Sequence, residues 1–253
     1  MHHITLGTLS FLFISGFLAS FIDSTVGGGG LVSLPALLFS GLPPALALGT
    51  NKVAGTFSSL TSSLSYLKSG KVNFDLVKFL VPMSLIGSIL GAELVRHIPS
   101  GFLKPLVIVM LILVTVYTVL KRDVGKTSTY RGLTRAMICA AAGVAFAIGF
   151  YDGFFGPGTG SFLIFAFVLI GFDYVQASGN AKALNFASNI GALITFALLH
   201  AINWEYGIIM GVGMVAGAIA GSQVAIRNGA AYVKPIFICV TLVMIGKQLW
   251  TML

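Results

Sequence analysis

Charge is what this chain has least of: Lys, Arg, Asp and Glu together make up 9% of its 253 residues. A soluble domain carries about 25% charged residues. The 15 basic and 7 acidic side chains present cannot cover a water-facing surface of this size. Hydrophobic residues make up 57%, and the runs 53–67, 79–92, 105–120, 136–151 and 206–226 contain no charge at all. These shortages exclude disorder and a soluble enzyme. The chain reads as an all-α, polytopic membrane protein.

Cysteine is almost as scarce. Cys139 and Cys239 lie in apolar helix sequence with no paired motif. That excludes a secreted disulfide scaffold and predicts buried structural thiols, with no metal or redox role. Histidine occurs only at positions 2, 3, 97 and 200, near segment ends, and no HExxH is present. No Walker motif is present either, so the sequence implies no metal, no nucleotide and no other cofactor. The 15 Lys and Arg are spread over loops, with Lys121, Arg122, Lys126, Arg131 and Arg135 in one central stretch. Cytoplasmic loops collect such charge, and no extended basic face exists for a nucleic acid. Segment 4–22 has no Lys or Arg ahead of it and no clear A-x-A site, so it is expected to be a mature membrane helix rather than a signal peptide.

What is abundant is repetition. Shifted by 129, Phe21, Asp23, Gly27 and Gly29 fall on Phe150, Asp152, Gly156 and Gly158. At a shift of 130, Gly41, Ala47, Gly49, Lys52, Ser58 and Asn73 match Gly171, Ala177, Gly179, Lys182, Ser188 and Asn203. Gly87, Ile89, Gly91, Lys104, Pro105 and Ile108 then match Gly217, Ile219, Gly221, Lys234, Pro235 and Ile238. The organisation is therefore a first membrane repeat (1–120), a basic cytoplasmic linker (121–133) and a second membrane repeat (134–253). Each repeat reads as five apolar segments: 4–22, 31–40, 45–67, 75–95 and 102–120, then 134–151, 160–171, 175–199, 206–226 and 232–250. The second segment of each is too short for the roughly 20 residues of a crossing. It is expected to be a broken or re-entrant helix, tolerated only where protein or a wet cavity surrounds it. Paired interruptions of this kind point to a transporter's binding site.

Lysines 68, 71 and 78 surround the loop near 70, whereas its counterpart near 203 has only His200 and Glu205. Equivalent loops of opposite charge character imply inverted repeats, with the linker and the loop near 70 cytoplasmic and both termini outside. Arg96 and Lys104, on the outer side, run against this assignment.

Asp23, Lys52, Asp152 and Lys182 are ionisable groups deep in apolar sequence. Each costs about 2.5–3.5 kcal/mol at the centre of a spanning helix. In a structural reading they form Asp–Lys clamps or helix caps, with Asp23 the partner assigned to Lys52. In a functional reading the lysines hold an anion, while Asp23 and Asp152 serve as ion-pair or proton-coupling partners. The glycine run 27–30 and the stretch 156–160 (GPGTG) each precede an apolar helix, whose free N–H groups and dipole favour an anion. Gly28, Gly29, Gly158 and Thr159 are accordingly assigned to the site. The third segment adds polar groups: Asn51 and Ser59 in one repeat, Asn185 and Asn189 in the other. Ser59 lies seven residues after Lys52, as Asn189 does after Lys182, so each shares a helix face with its lysine. Gly87-x-x-x-Gly91 and Gly213-x-x-x-Gly217-x-x-x-Gly221 read as close helix packing.

These residues resemble a known family. Asp23 with the glycine run, 41–45 (GLPPA), 47–52 (ALGTNK), 153–160 (GFFGPGTG) and 177–182 (ASGNAK) with Asn185, Ser188 and Asn189 look like the TauE/SafE sulfite exporters. The likeness covers nearly the whole chain. It implies a multi-pass protein of the cell inner membrane that moves small sulfur oxyanions or organosulfonates. Asn180, where Thr is common in that motif, is a departure that bears on substrate choice. The leading expectation is a secondary exporter of such an anion by alternating access, not an enzyme. A passive anion channel and an intramembrane enzyme are the alternatives, and oligomerisation is left open.

Overall fold

The computed structural model describes residues 6–120, 127–132 and 134–228, and no strand occurs among them. Nine helices are present there: α1 (Leu6–Val26), α2 (Gly30–Phe39), α3 (Pro44–Lys68), α4 (Phe74–Arg96), α5 (Ser100–Leu120), α6 (Arg135–Phe154), α7 (Thr159–Leu169), α8 (Tyr174–Leu198) and α9 (Trp204–Asn228). The expected tenth segment, 232–250, lies outside the described residues.

The helix boundaries follow local chemistry. Asn73 caps α4 by accepting from Leu76 N, and its repeat-mate Asn203 accepts from Tyr206 N at the start of α9. Asp173 caps α8 through Val175 N and Gln176 N. α3 starts instead on Pro43 and Pro44, where the missing N–H costs nothing.

Five helices, α1, α4, α6, α8 and α9, are long and apolar enough to cross a membrane. α3 is as long but rich in Ser and Thr. Its hydroxyls largely bond carbonyls of their own helix, such as Thr56 to Lys52 O and Ser62 to Ser58 O. That lets α3 pack against α1, α8 and α9 without many unsatisfied donors. The short helices α2 and α7 have 10 and 11 residues, about half a crossing. Every residue from Leu31 to Leu37 of α2 is buried, so the broken segment is enclosed by protein as expected.

Glycines let the long helices touch. The carbonyls of Phe13, Phe17 and Phe21 on α1 face Gly213, Gly217 and Gly221 on α9. Those of Phe146 and Phe150 on α6 face Gly87 and Gly91 on α4. Rising numbers on both sides make α1 parallel to α9 and α4 parallel to α6. α3 likewise runs with α9, since Val53 and Phe57 meet Gly207 and Gly211. α4 runs with α8, as Ser84 and Ser88 donate to the carbonyls of Leu184 and Ser188. α3 and α8 run oppositely, because Gly49 abuts the Ala201 carbonyl, Gly55 abuts Asn189, and Gly179 abuts the Lys71 carbonyl.

The contacts come in repeat-related pairs. Asn73 N donates to Asn180 Oδ1 and Asn203 N donates to Thr50 Oγ1, with the two repeats exchanging roles. One core joins α1 and α2 to Met210 and Met214 of α9; the other joins α6, α7 and α8 to Leu76, Val77 and Leu80 of α4. Each core therefore draws on both repeats. In the linker, Thr129 N donates to Gly171 O at 2.7 Å and Tyr130 stacks on Phe172.

One expectation is corrected. Cys139 is exposed on the outer face of α6, not buried, because no described helix covers that face. Cys239 lies outside the described residues.

Candidate functional site

The four deep ionisable groups form two ion pairs, each joining the first helix of one repeat to the third helix of the other. Lys52 Nζ lies 2.9 Å from Asp152 Oδ1 and also donates to the Asp152 carbonyl. Lys182 Nζ lies 2.6 Å from Asp23 Oδ2. Both lysines are almost wholly buried, at 2% and 0% exposure, so each ammonium depends on its carboxylate. This corrects the pairing of Lys52 with Asp23. The pairs cross between repeats because α3 packs antiparallel to α8, which carries each lysine to the far repeat's aspartate.

The carboxylates differ in their surroundings. Besides Lys52, Asp152 receives the hydroxyls of Thr159 (3.1 Å) and Ser188 and the amide of Asn185 (3.3 Å). Asp23 has Lys182 on one oxygen and Gly29 N at 3.3 Å on the other, and 17% of its side chain is exposed.

Between the pairs lies a small polar cavity of about 40 Å³. Asp23, Gly29, Asn51, Lys52, Asp152, Gly158, Thr159, Asn185 and Asn189 of the expected residues line it. Lys182, Gly28 and Ser59 are not among the lining residues. Asp23 stands on the cavity wall where Lys182 does not. Ser59 shares the Lys52 face and bonds back to Gly55 O. The face turned to the cavity is one step of the helix away, at Asn51, Gly55 and Ser58, and the long stem of Lys52 brings its ammonium there.

Ser20 and Ser33 also line the cavity and were missed, and so does Ser58, one of the polar groups of the third segment that was not assigned to the site. Ser20 and Ser58 share a 2.6 Å hydrogen bond, and Ser33 donates to Asn51 Oδ1 at 2.6 Å. Ser58 carried a signal, its match to Ser188 in the repeat; Ser20 carried a weaker one, three residues before Asp23 on the same face. Asn180 lines no part of the cavity and serves as acceptor for Asn73 N, as Thr50 does for Asn203 N.

The glycine turns meet at the cavity. Left-handed backbone falls at Gly27 (φ 82°), Gly156 (φ 96°) and Gly158 (φ 86°). Gly29 instead has φ −57°, and a Cβ there would lie 2.5 Å from the Ala19 carbonyl, so α1 is what excludes a side chain. Gly28 is buried. Gly27 abuts Gly160, and Ser161 N at the start of α7 donates to Gly27 O at 2.9 Å. Neither short helix has a side-chain cap. Their N-termini thus bring two positive dipole ends together, beside Asp23 and Asp152.

The described residues contain no group of three or more His, Cys, Asp or Glu that would hold a metal. The lining combines N-terminal backbone, hydroxyls, amides and one ammonium with the two carboxylates, around a space of three or four waters.

Comparison with known proteins agrees with this architecture. The family described as "Sulfite exporter TauE/SafE" matches residues 12–247. "Probable membrane transporter protein ORF9" of Sinorhizobium sp is 40% identical over 243 residues, covering 96% of this chain and 92% of its own. "Probable membrane transporter protein YfcA" of Escherichia coli K12 is 37% identical over 246 residues, covering 96% and 90%. A "Probable membrane transporter protein" of Haemophilus influenzae is 35% identical over 243 residues, covering 96% and 94%. No solved structure matches the chain. On the match over nearly its whole length, the chain belongs to the TauE/SafE sulfite exporter family.

Proposed function

We propose that this multi-pass membrane protein is a secondary carrier that moves a small sulfur oxyanion across the cell inner membrane. The observation that carries the reading is the cavity at the meeting point of α2 and α7, with Lys52 on its wall. A helix N-terminus favours an anion through its dipole and its free N–H groups, and two such termini meet at this cavity. The accessible volume of about 40 Å³ matches an inorganic oxyanion such as sulfite. An organosulfonate requires the cavity to open further.

The helix directions support inverted repeats. α1 runs with α9 and α3, α3 runs against α8, and α8 runs with α4 and α6. The first, third and fourth helices of the two repeats therefore point in opposite directions. Such repeats can rock about a central site and open it to each side in turn. With the basic loop near 70 and the linker cytoplasmic, an inside-negative potential contributes about 2.3 kcal/mol per charge per 100 mV toward anion exit. That favours export of an anion that still carries net charge as it crosses.

Of the lining hydroxyls, Ser20 and Ser58 bond each other, Ser33 bonds Asn51 and Thr159 donates to the Asp152 carboxylate, and no histidine lines the cavity. Asp152 is also held by Lys52, Asn185 and Ser188, so it is not the free base that a nucleophilic Thr159 would need in a hydrolase. The test is radiotracer flux in proteoliposomes with sulfite, thiosulfate, sulfate and an organosulfonate. Saturable flux accelerated by the same anion on the far side is expected. Flux that never saturates and shows no such acceleration replaces the carrier with a channel.

A further inference from the structure

The described site holds two ammonium groups and two carboxylates, so its formal charge is zero before any anion arrives. An incoming anion then places an uncompensated negative charge in a buried cavity. The two aspartates occupy equivalent places in the repeats, yet only one is built to relieve that charge.

Three positions make the difference. Thr159 and Asn185, both donors to Asp152, correspond to Gly30 and Gly55 on the Asp23 side, and neither glycine carries a donor side chain. Ser188, the third donor, corresponds to Ser58, which bonds Ser20 instead of Asp23. Asp152 is thus saturated and 2% exposed, while Asp23 faces the cavity with one oxygen held only by the Gly29 amide at 3.3 Å.

The end of α1 also receives two tyrosine hydroxyls, one from the third helix of each repeat. Tyr66 OH donates to Ser24 O and Tyr174 OH donates to Thr25 O. Their counterparts in the other repeat are Phe196 and Pro44. Ser24 Oγ is buried with no hydrogen-bond partner, a site where a bound water would be satisfied.

We propose that Asp23, and not Asp152, is the reversible proton site of the cavity, and that the anion crosses together with the proton Asp23 carries. The proton goes to Asp23 Oδ1, the oxygen not held by Lys182. The proton and the anion carry opposite charges into one buried cavity, so the two bindings assist each other. The groups facing Asp23 are Lys182 and Tyr174 of α8, Tyr66 of α3, and the Lys52–Asp152 pair across the cavity. α2 and α7 contribute no charge, and α9 contributes only Glu205 and Arg227, both exposed near its ends.

The coupling rests on the carrier reading; the protonation does not, and the test separates them. Infrared difference spectra of the purified protein, without added anion, are recorded as pH is lowered and restored. A reversible protonated-carboxyl C=O band is expected, shifted by Asp23→Glu and absent in Asp23→Asn. No reversible band before unfolding, or a band that both variants leave in place, overturns the proposal. In proteoliposomes, a pH gradient with the acid side outside should speed uptake of labelled thiosulfate or sulfite; Asp23→Asn should lose that dependence and Asp23→Glu, which keeps an ionisable carboxyl, should retain it. Gradient-driven uptake undiminished in Asp23→Asn overturns the coupling. If none of the probes is transported but the band behaves as expected, the carrier reading fails and the proton site stands.

Discussion

Removing the Lys52 ammonium leaves the Asp152 carboxylate buried beside Thr159, Asn185 and Ser188 without a counter-charge. Breaking one side of a buried pair typically costs about 3–5 kcal/mol. Lys52→Gln is therefore expected to lower the thermal unfolding midpoint in detergent, and adding Asp152→Asn should recover part of the loss. Adding Asp23→Asn should recover none, because Asp23 belongs to Lys182. Recovery by Asp23→Asn instead would contradict the crossed pairing. A smaller effect is expected at Tyr66, whose buried hydroxyl donates to Ser24 O at 2.7 Å. Tyr66→Phe deletes one hydrogen bond and should cost about 1 kcal/mol by the same melting assay.

Among the helices, the contact between α4 and α6 depends on the absence of side chains. A Cβ at Gly91 would lie 1.9 Å from the Phe150 carbonyl, and one at Gly217 would lie 2.1 Å from the Phe17 carbonyl. Backbone cannot swing aside as a flexible side chain does, so Gly91→Ala and Gly217→Ala should each destabilise by about 1–3 kcal/mol. Gly143, on the outer face of α6, has nothing within 4 Å of a built Cβ. Gly143→Ala is the control and should melt like the parent protein. Equal melting of all three variants would mean that neither α4 and α6 nor α1 and α9 approach as described.

Taken across the whole molecule, the helix directions place the α3–α4 turn and the α8–α9 turn on opposite faces. With Cys139 and Cys239 replaced, single cysteines at Ser69 and His200 should label from opposite sides of intact cells. Both positions are exposed, so access through the protein does not limit the reaction. Labelling of both from one side would exclude inverted repeats and with them the rocking mechanism.

Hydrophobic runs too long and too free of charge for water determined the membrane environment by themselves, and the constant 129–130 shift determined the duplication. Both are properties of the chain in one dimension. The short second segments and the packing glycines were equally legible, the first from their length and the second from their four-residue spacing. The charged residues of the candidate site could be read because charge in apolar sequence has to be compensated somewhere. Which charge compensates which could not be read. Lys52 is 29 residues from Asp23 in sequence and 100 from Asp152, yet it pairs with the distant one. Only the antiparallel packing of α3 on α8 decides that, together with the one-step rotation that turns Asn51, Gly55 and Ser58, and not Ser59, toward the cavity. The inequality of the two aspartates is likewise tertiary: identical residues at equivalent positions acquire different surroundings because Thr159, Asn185 and Ser188 converge on one, whereas on the other side two glycines stand in for the first two and Ser58 turns to Ser20.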